Sequence, residues 1–108
     1  MTSPTQKTLK LLRKNGFTAQ VIEHWNSFAK RRIDLFGCID IVAIHPNSIG
    51  VLGIQCTAYP NGKSRINKAL AQPELNIWME AKNHFAIYEW KKEELKVSIL
   101  HNGVFEEV

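Results

Sequence analysis

Apolar residues along this chain switch between helical and alternating spacing, and the switches mark its elements. Ser3-Pro4 followed by Gln6 reads as a helix start, with Ser3 as N-cap, Pro4 at the first helical position and Gln6 completing a capping box. Leu9, Leu11 and Leu12 form its core stripe. Lys7, Lys10, Arg13 and Lys14 are left to face water or nucleic acid, and Asn15-Gly16 stops the helix. Phe17 to Trp25, rich in Phe, Val, Ile and Trp, reads as a strand, with Phe17, Ala19, Val21, Glu23 and Trp25 on one face. Asn26 to Ile33 is a polar loop. Asp34 to Thr57 then predicts two buried strands around the turn formers His45-Pro46-Asn47-Ser48. Ser64 is expected to cap a helix with Arg65 and Lys68 at its amino-terminal end, and Pro73 joins it to a second helical run, Glu74 to Lys82. Phe85 to Trp90 and Leu95 to Leu100 read as strands, and Asn102-Gly103 is a hairpin signal before Val104-Phe105. The order is αβββαβ plus a C-terminal β-hairpin, in a single domain spanning residues 1–108.

One position breaks this pattern. The strand ending at Ile44 is apolar on both faces, as a central strand should be, except at Asp40. On the next strand Gln55 and Thr57 share a face with Val51 and Gly53, while Leu52, Ile54 and Cys56 point the other way. Asp40 and Gln55 can therefore meet at one rim of an antiparallel pair. A carboxylate in so apolar a run must be paired, hydrogen-bonded or metal-bound, because burying it bare is too costly.

Composition narrows the class without naming a function. The 108 residues are 44% hydrophobic and 22% charged, ordinary for a globular chain. No apolar stretch is long enough for a membrane span, and the N-terminus lacks an apolar signal core. Cys38 and Cys56 fit buried reduced thiols better than a disulfide framework, so a cytoplasmic location is expected. The formal charge is +4 and the pI about 9.2. Residues 1–72 carry ten Lys or Arg against three Asp or Glu, whereas residues 73–108 carry four against seven. The basic excess thus accompanies Asp40, as a phosphate-binding face requires. Lys30-Arg31-Arg32 suits a phosphate clamp, although Arg32 is equally placed to pair with Asp34. Scattered His24, His45, His84 and His101, and two unpaired Cys, disfavour a Cys/His metal site.

Gly37 to Ile44 resembles the metal-binding aspartate strand of PD-(D/E)XK nucleases, which include the archaeal Holliday junction resolvases. Gly53-Ile54-Gln55-Cys56-Thr57 sits where their Glu-x-Lys would stand. The chain looks most like small phage and bacterial resolvase-like proteins carrying Gln-x-Thr, through Arg32 to Gly37, Arg65, Lys68, Pro73 and Trp78. The resemblance implies a restriction-endonuclease-like α/β core with a mixed central sheet. It also implies a homodimer and Mg²⁺- or Mn²⁺-dependent cleavage of branched or structured DNA. By that likeness Asp40, the Gln55 side-chain carbonyl and the Cys56 backbone carbonyl would hold the ion. Gln for Glu removes a charge and Thr for Lys removes the cation, which Lys68 or Lys63 would have to replace. Thr57 either orients a water or is a plain strand former. Lys30, Arg31, Arg32, Lys63 and Arg65 are the expected DNA contacts. Glu23 reads as a strand-end residue paired with an arginine, or as a substitute for the glutamate that resolvases carry on the first helix; Asp34 is the other accessory acid. The rival expectation is a weak or inactive nuclease fold that binds DNA, and a third is a subunit whose partner completes the site.

Overall fold

The computed structural model describes residues 2–108. Helix α1 (Pro4–Lys14) begins as the sequence predicts, with Ser3 Oγ accepting from the backbone N–H of Gln6 at 3.2 Å and Pro4 in the first turn. It ends at Gly16, whose φ of +90° is open to glycine without strain. Leu9 and Leu12 are buried, but two of the helix's cations are structural. Lys7 Nζ donates to the Lys92 carbonyl at 2.7 Å and Arg13 to the Ala19 carbonyl at 3.1 Å. The basic face expected on this helix is thereby reduced to Lys10 and Lys14.

Strand β1 (Thr18–Val21) is shorter than expected. The chain leaves it to form a separate two-stranded hairpin, β2 (His24–Asn26) and β3 (Arg31–Ile33). Trp25 consequently lies outside β1 and cannot share its face. Ile22 N–H adds one more rung by donating to the Asp40 carbonyl at 2.8 Å, and the ladder stops where Glu23 N–H falls on that same carbonyl at 3.4 Å. Asp34 to Ile39, expected as the start of a strand, is a tight turn with Phe36 at φ 54° and Gly37 at φ 73°, closed by a Leu35–Ile39 bridge. Two consecutive left-handed residues are incompatible with a strand, so β4 spans Ile41–Ile44 alone.

β4 pairs antiparallel with β1 on one side and with β5 (Leu52–Ala58) on the other. After β5 come α2 (Gly62–Leu70) and α3 (Pro73–Glu80), two abutting helices with Pro73 opening the second. They cross over to β6 (His84–Lys91), which runs parallel to β5. β7 (Glu94–His101) and β8 (Val104–Glu107) complete the sheet in the order β1-β4-β5-β6-β7-β8. Asn102 and Gly103 take φ of 50° and 80°, the two left-handed residues of a tight hairpin turn.

Alternation along the strands divides the core between the sheet's two faces. Leu9 and Leu12 of α1 pack with Ile41, Ala43, Ile54 and Cys56, while Ala69 and Leu75 of α2 and α3 pack with Ile39, Phe85 and Ile87. The result is a mixed sheet between helical layers, with the expected C-terminal hairpin. Helix α2 starts earlier than predicted. Asn61 is its N-cap residue, Ser64 Oγ merely donates to the Asn61 carbonyl, and the free Gly62 N–H is satisfied from β6 by Glu89 Oε2 at 3.0 Å. Arg65 and Lys68 therefore lie one and two turns inside the helix rather than at its amino-terminal end.

Candidate functional site

Asp40 is held between two strands before its side chain is considered. Its N–H donates to the Ile54 carbonyl at 2.8 Å and its carbonyl accepts from Ile22. The side chain is thereby directed at β5, where Oδ2 accepts from Gln55 Nε2 at 2.7 Å and from the Cys56 N–H at 2.9 Å. Both Asp40 and Gln55 are 3% exposed. In its ionised form, the one that binds a cation, the Asp40 carboxylate can only accept, and Gln55 accordingly turns its NH₂ toward Asp40 and its carbonyl away. Asp40 Oδ1 and Gln55 Oε1 then remain, buried and without a hydrogen-bond partner among the described residues. Cys56 directs its N–H toward Asp40, and a strand residue's C=O points to the same edge as its N–H, which brings a third oxygen to this rim.

Two further acids converge here. One carboxylate oxygen each from Glu23, Asp34 and Asp40 lies within 4.8 Å of the others. Glu23 and Asp34 have cations beside them: Arg32 Nη1 at 3.9 Å and Lys68 Nζ at 3.3 Å, respectively. Asp40 has neutral donors and no cation within salt-bridge distance among the described residues. Burial accordingly pushes its carboxyl up to about 8. The Cys56 N–H opposes the rise, and the nearby Asp34 and Glu23 charges add to it. Glu23 is thus paired with an arginine and also lies in the acidic cluster, between β1 and β2 and not on a shared β1 face.

The acids open into a cleft of about 250 Å³ whose other walls include Arg32, Cys56, Arg65 and Lys68. Arg65 and Lys68, three apart on α2, share a face and point at the acids. The Nε of Arg65 donates to Thr57 Oγ1 at 3.4 Å, a long bond that places the guanidinium beside the position of the missing motif lysine. Thr57 itself is buried behind Arg65 and does not line the cleft. Lys63 and Lys30 do not line it either, and both are exposed. Arg31 lines a neighbouring depression together with Asp34 and Lys68. The expected Arg32–Asp34 pair is not formed; Lys68 takes Asp34 and Arg32 takes Glu23.

Sequence reasoning missed two residues. Thr5, in the first turn of α1, lines the cleft. Glu89, 8% exposed, closes the N-terminus of α2 and so supports the helix bearing Arg65 and Lys68. A lone acid in the apolar run of β6 was the same signal that singled out Asp40. Cys38 and Cys56 are free thiols that burial pushes up to about 11 and about 12, so neither is an ionised nucleophile near neutrality.

No family model matches the chain, and no curated protein matches it in sequence. Among solved structures the fold has a counterpart. The chain resembles the Holliday junction resolvase Hjc of Archaeoglobus fulgidus with a TM-score of 0.57, over 97% of this chain and 84% of that one, at 12% identity. The architecture expected from the aspartate strand and the Gln-x-Thr strand is therefore present, and at this identity the likeness establishes the fold. No helix among the described residues is long and apolar enough to cross a membrane.

Proposed function

We propose that this protein is a metal-dependent endonuclease that hydrolyses phosphodiester bonds in branched DNA. The carrying observation is the orphaned pair Asp40 Oδ1 and Gln55 Oε1, two buried oxygens left unsatisfied inside an acidic cluster. Oxygen donors of this kind suit a hard divalent cation, Mg²⁺ or Mn²⁺. Asp40, Gln55 and the Cys56 carbonyl would hold it, with Glu23 and Asp34 alongside. When bound, such an ion supplies Lewis-acid polarisation of the phosphate and a more acidic water.

The chain's own residues supply the rest. Arg65, anchored on Thr57 and free of a carboxylate partner among the described residues, faces the cleft and would bind the phosphate undergoing attack. Lys68 holds Asp34 in place and would share that phosphate charge once Asp34 turns to the ion. Lys68 was the sequence-based choice for the displaced cation; the anchoring on Thr57 favours Arg65 as an equal partner. Arg31 and Arg32 extend the basic wall along the backbone of the substrate. Two copies acting on opposed strands would suit a four-way junction.

The test is cleavage of labelled junction, flap, nicked and linear duplex DNA with Mg²⁺ or Mn²⁺, wild type beside Asp40→Asn. Metal-dependent cutting of branched substrates that vanishes in the variant supports the proposal. A second reading rests on the Gln55–Asp40 hydrogen bond, which closes the site without any ion and favours a fold that binds DNA with little chemistry. Tight binding without cleavage of any substrate would select it.

A further inference from the structure

The β2–β3 hairpin carries a side chain that packing does not explain. Phe28, in the four-residue loop between the strands, is 100% exposed, and Trp25 on the same hairpin is 59% exposed. The loop is nevertheless shaped. Asn26 Oδ1 accepts from Phe28 N–H at 3.0 Å and from Ala29 N–H at 2.9 Å, and Lys30 at φ 54° turns the chain back into β3. The ordered turn thus leaves an aromatic ring in solvent, where collapse onto the hairpin would have removed apolar surface from water.

Its surroundings say what the ring meets. From His24 to Ile33 the hairpin contains Lys30, Arg31 and Arg32 and no acid. Arg32, four residues from Phe28, already lines the cleft with Asp40. The hairpin's backbone packs chiefly against itself, so it projects beside the cleft as a finger. Of the exposed aromatics outside the hairpin, Phe36 packs edge-on to Trp78 with ring centres 6.3 Å apart, and Tyr59 has its face covered by Lys91 Nζ at 4.6 Å from the ring centre. No such cation covers the ring of Phe28 among the described residues. An uncovered aromatic flanked by cations matches a nucleobase attached to phosphates, since every base offers a π-face and each phosphate a charge. A partner protein would instead need a wider apolar patch around the ring.

We propose that Phe28 stacks on an unpaired base of branched DNA while Lys30, Arg31 and Arg32 hold the adjoining phosphates, so that the hairpin selects the branch and presents the neighbouring phosphodiester to the cleft. This rests on the nuclease reading of the cleft. Bases in a continuous duplex are stacked on both faces, whereas a gap, flap or strand-exchange point frees one, and the ring therefore discriminates branched from linear DNA.

The experiment compares binding, in EDTA to prevent cleavage, of a linear duplex and of the same duplex bearing a single-stranded gap with 2-aminopurine in it. Wild type should prefer the gapped probe and change its fluorescence. Phe28→Ala, a substitution at a fully exposed loop position, should bind linear duplex as before. It should lose about 5- to 150-fold on the gapped probe, together with the fluorescence change, and Phe28→Trp should restore both. Equal affinity of wild type and Phe28→Ala for both probes would overturn the stacking role while leaving the nuclease reading intact. A wild type that binds neither probe overturns both. Phe28-dependent binding to anionic lipid vesicles with no DNA binding would replace this proposal with a membrane-surface role.

Discussion

The buried rim at Asp40 and the exposed hairpin at Phe28 are linked through Glu23, which lies in the acid cluster and beside Arg32, yet they are specified in opposite ways. The rim is built by long-range pairing. β4 brings Asp40 and β5 brings Gln55, fifteen positions apart in sequence, and the ladder register decides that they meet. The hairpin is built locally, by one Asn side chain and one left-handed residue within five positions. Buried groups at the rim carry unsatisfied oxygens, and exposed groups at the hairpin carry an unsatisfied ring. In globular domains the common arrangement is the reverse, with polar atoms in water and rings in the core. Each inversion costs stability locally, and the two together suit the substrate proposed above, charged where it would enter the rim and aromatic where it would meet the finger.

The largest expected effect falls on the rim. Asp40→Asn keeps an oxygen for Gln55 and Cys56 but removes the charge an ion would need. Cleavage should fall by about 10³-fold or more, since the loss is that of several kcal/mol of transition-state stabilisation. Circular dichroism should be unchanged and DNA binding equal or tighter. If Asp40→Asn still cuts at near wild-type rate, the rim is ordinary structure and its contrast with the hairpin collapses.

The same carboxyl gives a pH signature without substrate or metal. Its ordinary value is near 4 and burial raises it to about 8, so the folded chain binds more protons than the unfolded one across that interval. The resulting stabilisation is fully present below about pH 4 and is lost as the pH climbs through about 8. A raised acid works opposite to the usual depressed one. Urea midpoints of the metal-free protein, taken as the difference between wild type and Asp40→Asn, should therefore fall from pH 5 to pH 8 by an amount worth on the order of a few kcal/mol. Mg²⁺ should recover part of that loss at pH 8 by taking the place of the proton. A flat difference curve would mean that Asp40 is ionised throughout and compensated from elsewhere.

How much of this was readable beforehand follows from the same contrast. Asp40 and Gln55 were legible because a polar residue in an apolar strand must meet a partner, and alternation limits which residue that is. The helix cap at Ser3 and the turn at Asn102-Gly103 were legible because their chemistry is local. The break after Val21 was not. Ile22 and Trp25 are good strand formers, and the ladder ends only because Ile22 and Glu23 N–H both fall on one carbonyl, that of Asp40, far along the chain. For the same reason the hairpin and Phe28 passed as a plain polar loop. The start of α2 was misplaced because its capping acceptor is Glu89, 27 residues downstream, and no local pattern announces a cap supplied by another strand. Arg65 read as a generic phosphate contact, because its anchoring on Thr57 exists only once α2 is docked.

That docking gives a smaller effect. A Cβ on Gly62 would collide with the Glu89 carboxylate, so glycine there is a requirement of close approach. Gly62→Ala should cost about 1–3 kcal/mol in urea unfolding and misplace Arg65 and Lys68. In a Glu89→Ala background the same change should be nearly free, because the obstruction is gone. Two independent, additive costs would show that Glu89 does not set the position of α2.

The smallest effect is on the finger's cations, and it separates their two environments. Arg31 and Arg32 are neighbours on β3 and so point to opposite faces. Arg32 stands 3.9 Å from Glu23 and lines both the cleft and the adjoining depression, whereas Arg31 lines the depression alone and pairs with no acid among the described residues. Removing one phosphate-binding cation should flatten the dependence of log affinity on log salt by roughly one unit. Arg31→Ala should show that change on linear and gapped DNA alike, because it removes a cation and deprives no acid of its partner, Asp34 keeping Lys68. Arg32→Ala should flatten the slope by a similar amount and weaken binding further at low salt, since Glu23 is then left facing phosphate without its guanidinium. Adding Mg²⁺ should reverse that extra loss in Arg32→Ala and do nothing for Arg31→Ala, because an ion at the rim neutralises Glu23 but not the outer depression. Identical behaviour of the two variants, with and without Mg²⁺, would show that Glu23 does not belong to the metal cluster and that rim and finger act as one uniform basic surface.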